Sequence, residues 1–172
     1  MKFDEVLKKR QSVRRFEKRE VAEEIIRKIL ELSNLSPSAG NLQARKIVLV
    51  KDGKTKEEIV RAALGQDFIS EAPVVFVVCA DLEASAQKYG RRGKELYSIQ
   101  DATIFASYLQ LAATFFDLTS CWVGAFDEKA VRRILGLPTE LRPIAIIPIG
   151  YPAEKPKRTP RKNLGEIIII HH

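Results

Sequence analysis

Histidine and cysteine are scarce in this chain of 172 residues, and their scarcity excludes several kinds of catalytic site. The two histidines, His171 and His172, are the last residues, and one interpretation is that they are the remnant of a tag. Without an internal histidine, a Ser-His-Asp or Cys-His triad and most zinc chemistry are excluded. The two cysteines, Cys79 and Cys121, lie far apart in apolar surroundings, so they indicate neither a disulfide framework nor a metal cluster. We expect both to be inert core residues.

Long apolar runs and nucleotide-binding signatures are absent as well. No apolar run approaches the roughly 18 residues that span a bilayer, and the N-terminus lacks the apolar stretch of a signal peptide. We therefore expect a cytoplasmic protein that does not bind membranes. The glycine-rich motifs of dinucleotide-binding and P-loop proteins are missing, and no acidic pair suggests glycosidase or two-metal catalysis. If the chain is an enzyme, we expect a bound cofactor to carry its reaction.

The composition is that of one ordinary globular domain with a positive charge. Hydrophobic residues make up 45% of the chain and charged residues 30%, which predicts a single domain over residues 1–172. Basic residues cluster at positions 8–19, 91–94 and 155–162, and the net charge is +7. Such a charge suits a nucleic acid, a membrane surface or an anionic ligand. Nucleic acid is disfavoured, because no continuous basic helix face and no aromatic-basic strand motif is present.

Hydrophobic periodicity predicts alternating helices and strands. We predict helices over residues 3–10, 21–32, 54–64, 95–116 and 128–135, and strands over residues 47–50, 74–80, 120–123, 143–149 and 167–170. A turn is expected at Asp52-Gly53, and residues 81–93 show no clean periodicity. This order predicts an α+β or α/β sandwich with helices on both faces of one sheet. The isoleucines at 167–170 would form an aggregation-prone edge unless the sheet of another subunit pairs with them.

Two basic segments have the chemistry of a phosphate site. In residues 10–14, an extended backbone would place Arg10, Ser12 and Arg14 on one side, where two guanidinium groups and a hydroxyl suit a phosphate. Residues 158–162 form a second cationic loop, with Arg158, Arg161 and Lys162. Taken alone, each segment is more typical of a solvated basic surface.

Two further segments combine small residues with polar or aromatic ones. Small residues in Pro37-Ser38-Ala39-Gly40-Asn41-Leu42-Gln43 let a planar ligand approach the backbone, while Asn41 and Gln43 offer donors and acceptors. In Ser120-Cys121-Trp122-Val123-Gly124-Ala125-Phe126, a glycine lies between a strand and a helix, so backbone N–H groups could face a ligand. The alternatives are a loop with capping side chains and a tight turn beside core aromatics.

In this order, these segments resemble the nitroreductase-like flavoprotein family from end to end. The resemblance rests on RQSVR, SPSAGNLQ, a long apolar helix, SCWVGAF, IPIGYP and PRKNLGEI, and it covers nearly the whole chain. It implies an α+β sandwich whose central, mostly antiparallel sheet is flanked by helices. It also implies an intertwined homodimer in which the C-terminal strand is exchanged and flavin mononucleotide (FMN) is bound at the interface.

The resemblance also implies roles for residues at matching positions. The FMN phosphate and ribityl chain would be held by residues 10–14, through Arg10, Gln11, Ser12 and Arg14. Arg161, together with Arg158 or Lys162, would complete the phosphate site. The loop of residues 37–43 would line the flavin from the partner subunit, through Pro37, Ser38, Ala39, Asn41 and Gln43. The isoalloxazine would pack along Trp122, Val123, Gly124 and Ala125, with the Gly124 N–H meeting flavin N5.

The implied reaction is a ping-pong transfer of hydride from reduced nicotinamide, NAD(P)H, through the flavin to a small acceptor such as a nitroaromatic or a quinone. No side chain acts as a nucleophile, which agrees with the missing histidine. The chain departs from many members at Ala44-Arg45, where they have Pro-Trp, and it is short, so the lid over the flavin is expected to be reduced. Tyr89, Arg91, Arg92 and Tyr97 are the candidates for that region. Two alternatives stay open: a flavoprotein with a deazaflavin or ferredoxin partner, and a flavin-binding module without turnover.

Overall fold

The computed structural model describes residues 1–171, so His172 lies outside the described residues. The helices are α1 (Phe3–Lys9), α2 (Glu23–Asn34), α3 (Gly53–Ala62), α4 (Phe68–Glu71), α5 (Leu82–Arg92), α6 (Ser98–Phe115) and α7 (Glu128–Ile134). The strands are β1 (Arg45–Val50), β2 (Val74–Asp81), β3 (Thr119–Ser120) and β4 (Leu141–Gly150). Within residues 1–171, no helix combines the length and apolarity needed to cross a membrane.

The four strands form one sheet in the order β1-β2-β4-β3, and every neighbouring pair is antiparallel. Strand β2 lies between β1 and β4, with Val77 opposite both Val48 and Ile146. Its residues from Val74 to Ala80 are buried, which confirms the prediction of a strand covered on both faces. The predicted α+β architecture with an antiparallel sheet is therefore confirmed.

Alternate side chains of β2 divide the core into two layers, because successive residues of a strand point to opposite faces. Phe76 and Val78 pack with residues of α2 and α6, among them Phe105. Val77 and Cys79 pack on the other face with residues of α3, α4 and α7. Each fully buried large apolar side chain contributes about 1.5–3 kcal/mol. The long helix α6 is therefore central, as its apolar circumference predicted.

In two segments, helix caps rather than apolar periodicity decide the local structure. Asp52-Gly53 is not a free turn: Asp52 caps α3, its carboxylate accepting a hydrogen bond from the Thr55 N–H at 2.7 Å. Hydrogen bonds from the Thr55 side chain and from its backbone N–H lower the pKa of Asp52. Residues 81–93 form helix α5, whose first turn is capped by Asp81. Since α5 buries only Ser85 completely, its sequence carries no apolar stripe.

A rare backbone feature joins α5 to α6. Gly90 interrupts the last turn of α5 with a φ of +55°, and a π-helical turn over Gly93–Tyr97 follows the end of the helix. A side chain at Gly93 would overlap the Ser85 carbonyl, so glycine is required for this close approach. The predicted helix start at residue 95 therefore becomes a separate turn, and α6 begins at Ser98.

The predicted C-terminal strand is absent from the single chain. Residues 164–166 form a 3₁₀ turn, and residues 167–170 have no strand conformation. A strand needs a neighbouring edge, and none of the four strands within residues 1–171 pairs with this segment. The four isoleucine side chains are exposed, Ile169 to 97%. The sequence analysis expects this strand to pair with the sheet of a second subunit, and that pairing stays a prediction.

Candidate functional site

A cationic cavity of about 450 Å³ lies where the end of α1 meets the C-terminal segment. Residues separated by almost the whole chain line it together, including Arg10, Gln11, Ser12, Arg14, Arg158 and Arg161. Lys162 is not among the lining residues. The fold therefore joins the two basic segments that the sequence analysis assigned to one phosphate site.

The extended backbone after α1 gives the first basic segment its geometry. Helix α1 ends at Lys9, and Arg10 turns the chain with φ of −56° and ψ of 120°. Ser12 then forms a parallel bridge with Ser120, and the Val13 N–H donates to the Ser120 carbonyl at 3.2 Å. Val13 is buried, whereas Ser12 and Arg14 on either side of it are exposed. The predicted alternation of residues 10–14 is thus present.

Gln11 secures the C-terminal segment against the first one. With its amide oriented to satisfy both neighbours, its nitrogen donates to the Pro156 carbonyl at 3.1 Å and its oxygen accepts from Arg158 Nε at 2.8 Å. Arg158 Nη2 also donates to the Lys8 carbonyl. These bonds hold the Arg158 guanidinium at the wall of the cavity. Gln11 therefore positions a cation, a role that sequence reasoning did not predict.

The arginines of the cavity lack acidic partners. Within residues 1–171, no carboxylate lies within 4 Å of the guanidinium groups of Arg10, Arg14, Arg158 and Arg161. Neighbouring Lys8, in contrast, pairs with Asp4 at 2.8 Å. Several guanidinium groups around one cavity repel one another unless an anion binds between them. Their planar donors match the oxygens of a phosphate.

The segment 120–126 lies directly beside these arginines. The N–H groups and carbonyls of Val123 and Ile146 exchange two hydrogen bonds of 3.0 Å, which leaves Gly124 and Ala125 exposed. Within the described chain, the Gly124 N–H donates to no other group. Trp122 is half-buried and packs against the α2–α6 side of the core. The segment meets the first basic segment at Ser120, which bridges Ser12, while Trp122 and Gly124 do not line the cationic cavity.

Both cysteines are buried, as predicted. Burial raises the pKa of the Cys79 thiol to about 12. Burial also raises the pKa of Cys121, while the positive charge of Arg14 acts in the opposite direction. Arg14 lies close to this segment because Ser12 bridges Ser120, the residue before Cys121.

The loop of residues 37–43 lies elsewhere in the single chain. It borders a separate cavity of about 500 Å³, lined by Pro37, Ser38, Ala39, Tyr97, Gln100 and Asp101 among others. None of these residues lines the cationic cavity. Asn41 and Gln43 both have a left-handed backbone, with φ of 57° and 50°. One chain therefore joins residues 10–14 to residues 158–161 and to Ser120, and it leaves the loop outside the cationic cavity.

Asp101 and Arg45 hold this loop, and sequence reasoning missed both as structural anchors. Asp101 lies buried in α6 and accepts hydrogen bonds from the Ala39 N–H at 2.9 Å and the Ala44 N–H at 3.2 Å. Arg45 is buried over the Phe105 ring, 5.1 Å from its centroid. Burial lowers the pKa of Arg45, and the charge of Asp101 opposes that shift. The available signal was an acidic residue inside an otherwise apolar helix.

The structure thus combines an antiparallel α+β sandwich with a cationic cavity whose chemistry suits an anionic ligand. The chain belongs to the nitroreductase family, which it matches over residues 7–66 and 60–151. It is 35% identical to an NADH dehydrogenase from Thermus thermophilus, over 94% of this chain and 92% of the relative.

Solved structures of the family have the same fold. A nitroreductase family protein from Streptococcus pneumoniae is 26% identical, with a TM-score of 0.90 over 99% of this chain and all of that one. An FMN-dependent nitroreductase from Clostridium difficile is 30% identical, with a TM-score of 0.77 over 94% of this chain and 92% of that one. The predicted family is thus confirmed, and the protein is an oxidoreductase of the nitroreductase type.

Proposed function

We propose that this protein is an FMN-dependent homodimer that oxidises NAD(P)H and reduces a small acceptor, such as a nitroaromatic or a quinone, in a ping-pong reaction. When bound, FMN supplies the redox chemistry, because its ring system exchanges hydride with nicotinamide and electrons with a second substrate. The observation that carries the proposal is the cluster of Arg10, Arg14, Arg158 and Arg161, which has no carboxylate partner within residues 1–171.

The lining of the cationic cavity fits the phosphate end of FMN. A phosphate monoester carries close to two negative charges at neutral pH, and arginine binds its oxygens in pairs. The exposed Ser12 hydroxyl adds a donor between Arg10 and Arg14. We assign these residues, with Arg158 and Arg161, to the phosphate and ribityl chain. Lys162 is left out because it does not line the cavity.

The flavin ring is assigned to the segment next to the cavity. Gly124 offers an exposed N–H that no group within residues 1–171 accepts, and Trp122, Val123 and Ala125 border it. A fixed backbone donor stabilises negative charge that develops on the reduced ring, without any reorganisation of a side chain. The positive charge of the cationic cavity also stabilises negative charge on the reduced ring. These features explain how the protein promotes reduction without an acid-base side chain.

The homodimer is proposed from exposed apolar surface and from the position of the loop. Phe3, Leu35 and Phe115 are 72%, 76% and 43% exposed. The four isoleucines at 167–170, which we call the isoleucine arm, are exposed as well. Monomeric proteins rarely leave so much apolar surface in water. We infer that the isoleucine arm adds a strand to the partner's sheet. The loop 37–43, remote from the cavity of its own chain, would then complete the site of the partner.

Purified protein tests this function directly. We expect it to be yellow, to release FMN on denaturation, and to oxidise NADH or NADPH in the presence of a quinone or a nitroaromatic compound. A colourless protein that cannot be reconstituted with FMN would contradict the cofactor. FMN-loaded protein that neither nicotinamide reduces would contradict the proposed reductant and favour a deazaflavin or ferredoxin donor.

A further inference from the structure

The end of helix α5 covers the loop that we assign to the flavin site. A side chain at Gly40 would overlap the Tyr89 hydroxyl, and its Cβ would lie 2.9 Å from Lys88 Nζ. Gly40 has a φ of +57°, a conformation that glycine adopts freely. Tyr89 and Lys88 therefore lie against the backbone of the loop, close to the small residues that allow a planar ligand to approach.

Tyr97 extends this cover toward the neighbouring cavity. Its ring meets that of Tyr89 edge to face, with centroids 5.1 Å apart. Tyr97 lines the cavity of about 500 Å³ together with Pro37, Ser38 and Ala39. Its hydroxyl accepts a hydrogen bond from Arg92 Nε at 2.9 Å. Two aromatic rings and two cations thus border one side of the loop.

The backbone of this segment departs from regular helix at two positions. Gly90 combines φ of +55° with ψ of −139°, a conformation close to the region that only glycine populates readily. The π-helical turn Gly93–Tyr97 follows it, and such turns occur frequently at functional sites. Across these two positions the Tyr89 and Tyr97 rings meet, so Lys88 and Arg92 lie beside the same pair of tyrosines.

The charges of the segment fall into two kinds. Arg91 pairs with Glu95 at 2.8 Å, and Lys94 pairs with Glu83 at 2.8 Å. Lys88 and Arg92 have no carboxylate within 4 Å among residues 1–171. Each lies near an aromatic ring, Lys88 at 5.4 Å from the Tyr89 centroid and Arg92 at 5.3 Å from that of Tyr97. Lys88, which lies against the loop, and Arg92, which lies beside Tyr97, are thus available to an anionic ligand.

We propose that Lys88 and Arg92 bind phosphate groups of the reduced nicotinamide dinucleotide, beside the rings of Tyr89 and Tyr97. This inference rests on the proposed function, since it requires the nicotinamide to reach the flavin beside loop 37–43. The dinucleotide carries a diphosphate, and NADPH also carries a 2′-phosphate. Either group accepts charge-assisted hydrogen bonds from an ammonium and a guanidinium. Arg91 and Lys94, neutralised by their own carboxylates, do not take part.

The test compares two double variants of FMN-loaded protein. Lys88→Gln with Arg92→Gln removes the proposed contacts, and Arg91→Gln with Lys94→Gln removes the same charge from the paired positions. Binding of NAD⁺ and NADP⁺ is measured by calorimetry, and flavin reduction by rapid mixing with NADH, NADPH and 1-benzyl-1,4-dihydronicotinamide, which has no phosphate. We expect the first variant to bind dinucleotide about 10-fold more weakly or worse, the loss of one or two charged hydrogen bonds.

Reduction by the phosphate-free compound should be unchanged in both variants, and the control should bind dinucleotides as the wild type does. A loss for both dinucleotides supports contact with the diphosphate, and a loss for the 2′-phosphorylated forms alone supports contact with that group. Unchanged binding, an equal loss in the control, or an equal loss with the phosphate-free compound overturns the inference. Wild-type protein that the phosphate-free compound reduces but neither dinucleotide reduces overturns the proposed reductant as well.

Discussion

The carboxylate of Asp101 accepts a hydrogen bond from the backbone N–H of Ala39 at 2.9 Å, across 62 positions of sequence. Its second oxygen accepts from the Ala44 N–H at 3.2 Å. One buried side chain thus binds the backbone at both ends of the loop 37–43, which we assign to the partner's flavin. Asp101 also faces the buried charge of Arg45. The loop is therefore held by a charged network that belongs to the core.

Asp101→Asn should destabilise the protein by roughly 2–4 kcal/mol, because an amide replaces one acceptor by a donor and leaves Arg45 without its counter-charge. The free energy of unfolding in urea measures this effect. Asp67→Asn is the matched control, since Asp67 is exposed and its side chain makes no capping bond. The control should change stability by less than ~0.5 kcal/mol. Equal effects of the two substitutions would contradict the anchoring role.

Arg14→Gln should weaken FMN binding about 10- to 100-fold, because it removes one charge-assisted phosphate contact. Fluorescence titration of FMN into apoprotein measures the dissociation constant. Arg15→Gln is a control of identical chemistry at the next position: Arg15 pairs with Glu71 at 3.6 Å and does not line the cationic cavity. If both variants bind FMN alike, the phosphate does not lie at Arg14.

Ile169→Asp should shift the protein from dimer to monomer and lower its FMN content. A carboxylate placed in an apolar subunit interface would be buried without a partner. Sedimentation equilibrium gives the oligomeric state, and absorbance of the purified protein gives the flavin content. Leu64→Asp is the control, because Leu64 is 76% exposed and its left-handed backbone, with φ of 59°, tolerates aspartate. A dimer that survives Ile169→Asp would contradict strand exchange.

Cys79 should make the protein less stable at alkaline pH. The unfolded thiol ionises near pH 9.0, whereas burial raises the pKa of the folded thiol to about 12. Between these values the unfolded state binds fewer protons than the folded state, so the free energy of unfolding falls as pH rises. The fall for this group is up to ~1.4 kcal/mol per pH unit.

Urea unfolding at pH 8 and pH 10.5 measures the effect, and Cys79→Val provides the comparison. Valine keeps an apolar side chain in strand β2 but has no ionisable group, while every lysine contributes equally to both proteins. The wild type should lose more stability than the variant over this range. A parallel decline in the two proteins would show that the thiol does not ionise on unfolding.

The regular elements were predictable where apolar spacing alone determines them. Helix α2 and strands β2 and β4 have strong apolar patterns, and their predicted positions agree with the structure. Helix α5 was not predicted, because it buries only Ser85 completely and leaves polar side chains around it. The predicted helix over residues 54–64 agrees with α3, and the Asp52-Gly53 pair before it is the cap that starts this helix.

The candidate site divides in the same way. The alternation of Arg10, Ser12 and Arg14 is a local property, so sequence spacing was sufficient to predict that their side chains share one side of an extended segment. The roles of Gln11, Asp101 and Lys88 depend on groups brought from distant parts of the chain, namely Arg158, Ala39 and Gly40. No periodicity marks such pairs, because their hydrogen bonds and charges arise only after folding.

The sequence by itself determined the family, the alternation of helices and strands, and the two basic segments suited to phosphate. Only the tertiary structure decided that these segments share one cavity, that Asp101 anchors the loop, and that Lys88 and Arg92 are free of carboxylates within the described chain. The physical reason is the distance along the chain over which each effect acts. Apolar spacing acts over one helical turn or one strand, whereas the neutralisation of a charge depends on whichever group the fold places beside it.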